Sequence, residues 1–419
     1  MVRPLRLMWL LLVPALGAAL SVPPGGAAAK TAPAPKPVSA TGHNLLANPG
    51  FEEGLPGHAW MPAAWDTFES GLNTVFFGRD SFLVHGGQYA VSVANLSTQV
   101  PMFHNWSQTL IVGPEMWDKD MVFSIWTRSN GLDGRAYVLL QAYRDTIEQM
   151  ALTWHVPRDT ARVRLGYVPT SQPISLTGYK RLYFSDRETD WVQREVRARI
   201  APGTNIVSVR GGIFGTGQVL LDDASLAVIP TVVPPPAPEH RNLLADPGFE
   251  GDGNAWDYSL PPFPGLKIER DTTVAHTGRA SLHLHGGRAP FQARTGAVQV
   301  FDGRPFWGKR VKVSAWLRCD SLRNGAAYVK VFASTELGEL QGPPAIQYGA
   351  TMPWTPVSYE LDIPPGTDIV SAWYMYDAPA MSGELWFDDC SLEVLGPAEY
   401  IKNKGKPPAI IPLPQPSIH

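Results

Sequence analysis

The chain reads as an all-β protein folded into two tandem β-sandwiches of the jelly-roll type. Three observations predict this. One sequence pattern occurs twice, short runs alternate apolar and polar residues, and 40 prolines and 39 glycines among 419 residues break the chain into short segments. Such punctuation suits many short strands better than long helices. Composition also excludes some functions. With Lys+Arg 35 against Asp+Glu 38 the formal net charge is −3, so no basic excess exists to neutralise phosphates and no nucleic-acid partner is expected. A hydrophobic content of 44% can offset the entropy of ordering the chain, and 14 tryptophans supply aromatic surface.

In chain order, the first element is a targeting segment. Arg3 and Arg6 precede an apolar run over residues 7–20 and a small-residue stretch over 25–29. This is the form of a secretory signal peptide, assigned to residues 1–29. The run is shorter than the roughly 20 residues a spanning helix needs. The mature chain is therefore expected to be secreted, periplasmic or at the cell surface, without a membrane span and acting as a monomer. Residues 30–42 and 230–240 are Pro-rich and read as semi-rigid, extended spacers, and 397–419 as a Pro-rich tail.

Between these lies the duplication, over residues 43–229 and 241–396. Asn44-Leu45-Leu46-Ala47-Asn48-Pro49-Gly50-Phe51-Glu52 returns 198 residues later as Asn242-Leu243-Leu244-Ala245-Asp246-Pro247-Gly248-Phe249-Glu250. Ser124-Ile125-Trp126-Thr127-Arg128 returns after 190 residues as Ser314-Ala315-Trp316-Leu317-Arg318. Pro202-Gly203-Thr204 returns after 163 as Pro365-Gly366-Thr367, and Asp222-Asp223-Ala224-Ser225-Leu226 after 166 as Asp388-Asp389-Cys390-Ser391-Leu392. Four landmarks in one order mark a tandem duplication, with units long enough to be domains. The falling offset makes the first copy longer by 24 residues, within 143–190. An insertion on a repeated scaffold maps to a loop, and loops often carry function.

Within each copy the period is two. Phe123 and Ile125 oppose Ser124, Trp126 and Arg128, and Val313, Ala315 and Leu317 oppose Ser314, Trp316 and Arg318. Residues 89–94 and 280–285 alternate likewise, as antiparallel strands with one buried face do. Outside the signal peptide no segment shows a helical period over three turns. Cys319 and Cys390 allow at most one bridge, and a disulfide and two buried thiols both remain open.

The landmarks carry a resemblance. The Asn-Leu-Leu-Ala-[Asn/Asp]-Pro-Gly-Phe-Glu opening, His-x-Gly-x-x-[Ala/Ser]-[Val/Leu] at His85 to Val91 and His276 to Leu282, Ser-x-Trp-x-Arg, and the Asp-Asp-x-Ser-Leu close are similar to carbohydrate-binding modules of families four and nine. Such modules are galactose-binding-like jelly rolls. The resemblance implies that fold, a structural Ca2+ ion, and a poly- or oligosaccharide partner.

For the ion, Glu52 follows the opening turn and Asp222 shares the inward parity of Ala224 and Leu226, while Glu250 and Asp388 repeat the pair. A buried carboxylate is costly unless paired, hydrogen-bonded or bound to metal, and calcium takes hard oxygen ligands. The alternative is that these carboxylates accept backbone N–H bonds, with no metal. For the sugar, an indole stacks on the C–H face of a pyranose while a guanidinium meets its hydroxyls. Trp126 with Arg128 and Trp316 with Arg318 are the candidate platforms, and Trp106, Tyr143, Trp373 and Tyr376 are further candidates. His283 and His285 share a strand face as zinc ligands can, but no third ligand spacing emerges and they read as solvated.

No sequence pattern of a serine hydrolase, zinc protease or phosphate loop appears, and no catalytic residue is assigned. The leading expectation is a secreted, non-catalytic protein with two carbohydrate-binding modules. One alternative is a glycoside hydrolase or polysaccharide lyase with its site on one sandwich, aided by the 143–190 insertion. Another is a structural or adhesive surface protein that binds proteins.

Overall fold

The computed structural model describes residues 43–402 apart from 69–73, 98–102, 166–174, 260–266, 287, 324–325, 336–337, 342–344, 348–350 and 381. The segments read as a signal peptide and first spacer, and most of the tail, lie outside these residues.

Each copy is a sandwich of two antiparallel layers, and the layers have the same strand order in both. In the second copy one layer runs Lys267–Asp271, Ser281–His285, Ser382–Pro397, Lys309–Arg323, Met352–Ile363. The other runs Asp257–Ser259, Arg288–Asp302, Thr367–Ala380, Ala326–Thr335, with Gly338–Gln341 and Ala345–Gln347 at its edge. In the first copy two long strands, Lys119–Arg144 and Ile206–Ile229, each serve both layers. Ile206 to Ile213 lie between His104–Ile111 and the second half of Lys119–Arg144. Past Gly217 the same strand pairs with Ala90–Asn95 and with the first half of that strand. Val75–Asp80 and Val192–Ile200 complete this second layer.

The predicted alternation sets the cores. Phe123, Ile125, Val91, Val93, Val219 and Leu221 fill the first, while Val313, Ala315, Leu317, Leu282, Leu284 and Phe387 fill the second. Cys319 and Cys390 are both free and buried.

The insertion departs from the expectation of an all-strand chain. It forms helices Thr146–Trp154 and Arg158–Arg164, too short for a three-turn period to be legible, and then strand Ser175–Phe184. Asp145 caps the first helix by accepting the Glu148 N–H at 3.0 Å, and pairs with Arg158 at 2.7 Å.

Strand Ser175–Phe184 packs against the strands of the second sandwich. There Ser175 Oγ meets Ser334 Oγ at 3.0 Å, Arg144 pairs with Asp368 at 2.8 Å, and Arg181 and the Tyr179 hydroxyl reach Asp257 at 2.9 and 2.7 Å. Arg135 is buried between Tyr183 and Tyr258 and donates to the carbonyls of Gly253 and Trp256. The Pro-rich segment 230–240 is pinned as well. The Thr231 hydroxyl donates to the Asp118 carbonyl, the Ala237 N–H to the Pro305 carbonyl, and Lys309 pairs with Glu239. It lies along both sandwiches instead of holding them apart.

Candidate functional site

In each sandwich the opening, His-x-Gly, Ser-x-Trp-x-Arg and Asp-Asp motifs meet in one node around a single loop. In the first, Glu52 follows Phe51, whose φ of 57° turns the chain after the Pro-Gly step. Its carboxylate accepts the N–H groups of Gln88 at 2.9 Å and Tyr89 at 3.2 Å. Gly87 has φ +62°, and a Cβ there would lie 2.0 Å from Glu52 Oε1, so the motif needs glycine. From the far end of the chain, Asp222 Oδ2 accepts the N–H groups of His85 and Gly86 at 2.8 and 3.0 Å. The loop 85–89 is thus gripped by one acid from the opening motif and one from the closing motif.

The second closing aspartate acts on the side chain. Asp223 sits at φ 44° where the two long strands slip register, and its Oδ2 lies 2.6 Å from His85 Nδ1. The imidazole then stacks on Trp126 at 3.9 Å and meets the edge of Trp191 at 5.8 Å. The second copy repeats each contact. Glu250 accepts the Arg279 and Ala280 N–H groups, and Asp388 those of His276 and Thr277. Asp389 holds His276 at 2.6 Å, which stacks on Trp316 at 3.9 Å with Trp354 edge-on at 5.6 Å.

Asp222 and Asp388 are fully buried. Burial pushes the Asp222 carboxyl up to about 6 against the pull of the loop N–H groups, and raises that of Asp388. Among the described residues no Lys or Arg pairs with Glu52, Asp222 or Asp388, whereas Glu250 lies 3.6 Å from the Arg279 guanidinium. After their N–H bonds the carboxylates of Glu52 and Asp222 each keep acceptor capacity. The Asp222 and Asp388 carboxylates are desolvated and those of Glu52 and Glu250 exposed, and all four offer the hard oxygen donors that calcium takes.

The expected sugar-binding residues separate into groups. Trp126, Arg128, Trp316 and Arg318 lie half-buried on the outer face of their layers. One indole face of Trp126 and of Trp316 is covered by the clasped imidazole, so these tryptophans back the node instead of offering an open platform. Arg128 pairs with Asp190 at 2.9 Å, next to Trp191. Arg318 lies 5.3 Å over Trp386 and lines a cleft of about 310 Å³ with Cys319, Asp320, Thr351, Met352, Pro353 and Trp354.

Trp106 and Tyr376 are corrections. Both are core residues at 0% and 2% exposure, and their polar atoms are used on the Ser92 and Arg323 carbonyls, so neither can face a ligand. Trp373 donates to Ser371 Oγ and packs edge-on against Phe332, while Tyr143 is half-buried at the end of strand Lys119–Arg144. Neither joins the node.

Sequence reasoning passed over Trp191 and Trp354. Their separation of 163 residues equals the offset of the neighbouring Pro-Gly-Thr landmark, a signal reduced to one conserved letter between the copies. The His85–Asp223 and His276–Asp389 pairs were also missed, because those motifs lie far apart in the chain.

No protein-family model matches the chain, and no curated protein matches it. Among solved structures it is similar to the N-terminal CBM22-1–CBM22-2 tandem domain of Xyn10C from Paenibacillus barcinonensis, at 13% identity and TM-score 0.29, covering 84% of this chain and 98% of that one. It is also similar to TmCBM61, solved with β-1,4-galactotriose, at 15% identity and TM-score 0.27 over 44% of this chain and 97% of that one. A third is the arabinose-bound MgGH51 α-L-arabinofuranosidase, at 12% identity and TM-score 0.30 over 44% and 26%. These modules belong to families 22 and 61, not to the families four and nine that the motifs resemble. No described helix is long and apolar enough to cross a membrane.

Proposed function

We propose that this chain is a non-catalytic carbohydrate-binding protein, exported from the cell, whose two sandwiches each present an outer-face aromatic beside a guanidinium and a carboxylate to a poly- or oligosaccharide. The cleft at Trp354 carries the reading. An indole, the Arg318 guanidinium and the Asp320 carboxylate share one recess of about 310 Å³. That is the combination an apolar sugar face and its hydroxyls require. Trp191, with Arg128 and Asp190 beside it, is the counterpart in the first sandwich. Fold does not carry this assignment; the site does.

Glu52 with Asp222, and Glu250 with Asp388, would hold one calcium ion per sandwich. The ion would supply the missing positive charge and lock the loop beneath the aromatic node. Its role is structural.

The test is a glycan array on the full chain, repeated with Trp354→Ala, Arg318→Ala and Trp191→Ala. We expect binding to a poly- or oligosaccharide that weakens about tenfold or more with each tryptophan removed, in line with the energy of one desolvated aromatic contact. Undiminished binding in all variants would reject these platforms. An array without hits would shift weight to protein adhesion.

A further inference from the structure

We propose that His283, His285, Glu269 and Glu384 form a binding site for a zinc-type divalent transition metal on the outer face of the second sandwich. The four residues come from three adjacent strands. Glu269 stands opposite His283 in the ladder, and Glu384 opposite His285. One ligand atom from each of Glu269, His283 and His285 lies within 4.8 Å of the others. His285 Nε2 lies 2.7 Å from Glu269 Oε1, and His283 Nε2 lies 3.4 Å from Glu384 Oε2. Zinc–ligand bonds of about 2.0–2.1 Å in a tetrahedron put neighbouring ligand atoms roughly 3.3 Å apart. Small side-chain adjustments therefore bring Glu269, His283 and His285 to metal-binding geometry, with Glu384 beside His283 for the fourth position.

Three further observations separate this cluster from a chance meeting of surface charges. First, the histidines are not solvated as the sequence suggests. The His283 side chain is 12% exposed, and its Nε2 is buried without a hydrogen bond. Second, the ring is held from behind. His283 stacks on Trp386 at 4.6 Å and 3° from parallel, and the Trp386 indole N–H donates to Asp271 Oδ2 at 2.9 Å. That same Asp271 oxygen lies 3.8 Å from His283 Nδ1. A shift of about 1 Å would close this gap to the Nδ1–H to carboxylate hydrogen bond that orients a metal-binding histidine.

Third, the cluster belongs to one copy only. The positions matching Glu269, His283, His285, Glu384 and Trp386 are Gly78, Ser92, Ala94, Gln218 and Leu220 in the first sandwich. The Glu–Asp–His–Trp node is present in both copies, whereas this set appears in the second alone. Imidazole with carboxylate favours zinc, copper or nickel over calcium.

The experiment titrates the full chain, stripped with chelator, with zinc alone by calorimetry and with cobalt(II) by visible absorption. We expect one zinc per chain, a tetrahedral cobalt spectrum, and a melting temperature raised by zinc. His285→Gln and Glu269→Gln should each weaken zinc at least tenfold and abolish the cobalt spectrum, and Asp271→Asn should weaken zinc about tenfold through loss of support behind the ring. Glu269 is about half exposed, so its variant should melt like the unmodified chain in chelator. Absence of zinc uptake by the unmodified chain, or equal uptake by it and both ligand variants, overturns the site.

Discussion

Asp223 Oδ2 and His85 Nδ1 meet at 2.6 Å across 138 residues of chain. The pair joins the closing strand to the loop after Val75–Asp80, and the Asp389–His276 pair does the same in the second sandwich at the same distance. The neighbouring aspartate in each copy takes the loop backbone instead. The Asp-Asp doublet thus divides one task, with the buried acid fixing the loop and the more exposed one fixing its histidine.

Removal of the buried acid should therefore cost more than removal of its neighbour. Asp222→Ala leaves the N–H groups of His85, Gly86 and Asp223 without their acceptor. At roughly 1 kcal/mol for each half-buried donor left without its acceptor, the loss should be about 2 kcal/mol. Asp388→Ala should match it. Urea denaturation measures both, and a change below that of Asp223→Ala would contradict the clasp.

Calcium should raise the melting temperature of the full chain, and chelation should lower it. Binding at a free concentration a hundredfold above Kd adds about 2.7 kcal/mol. Glu52→Gln with Glu250→Gln should melt at one temperature with or without the ion. A melting curve of the unmodified chain that ignores chelator removes the metal from the node and leaves N–H capture as the whole role of these acids.

The contact between the sandwiches should be breakable at one residue. Arg181→Ala strands the Asp257 carboxylate, whose side chain is 13% exposed, with the Tyr179 hydroxyl as its one remaining side-chain partner among the described residues. Loss of one member of a buried pair costs about 3–5 kcal/mol. Scanning calorimetry should show a single transition in the unmodified chain and two in the variant. Arg181→Met combined with Asp257→Leu should restore much of the loss.

Acid should weaken the first sandwich through His104. The side chain is fully buried, neither ring nitrogen has a hydrogen-bond partner among the described residues, and burial lowers its pKa below 6.5. The unfolded chain therefore binds this proton more readily than the folded one. The contribution is complete above pH 6.5 and is lost as pH falls from there through the lowered folded value. His104→Leu should gain stability relative to the parent at pH 5 and show little pH dependence between 5 and 7 from this position. Equal slopes in parent and variant would exclude His104 as the cause.

Much of the scaffold was legible because its signals are local. Alternation around Phe123 and Val313 reports which face is buried, and the inward parity of Asp222 follows from its neighbours. Trp106 and Tyr376 misled because an aromatic in a strand has the same letter whether it fills a core or faces solvent. The short helices of the insertion were invisible for want of length: only Ile147 and Ala151 are buried in the first and Ala161 in the second.

From its residues alone the chain dictates two sandwiches, their order, the longer first copy and the acids that end each one, since repetition and parity are properties of neighbouring letters. Folding decides which distant letters touch. The stacking of His85 on Trp126, the docking of strand Ser175–Phe184 on the second sandwich, and the meeting of Glu269 with His285 depend on strand order and register. Hydrogen-bonded pairing fixes these only when the whole sheet has closed.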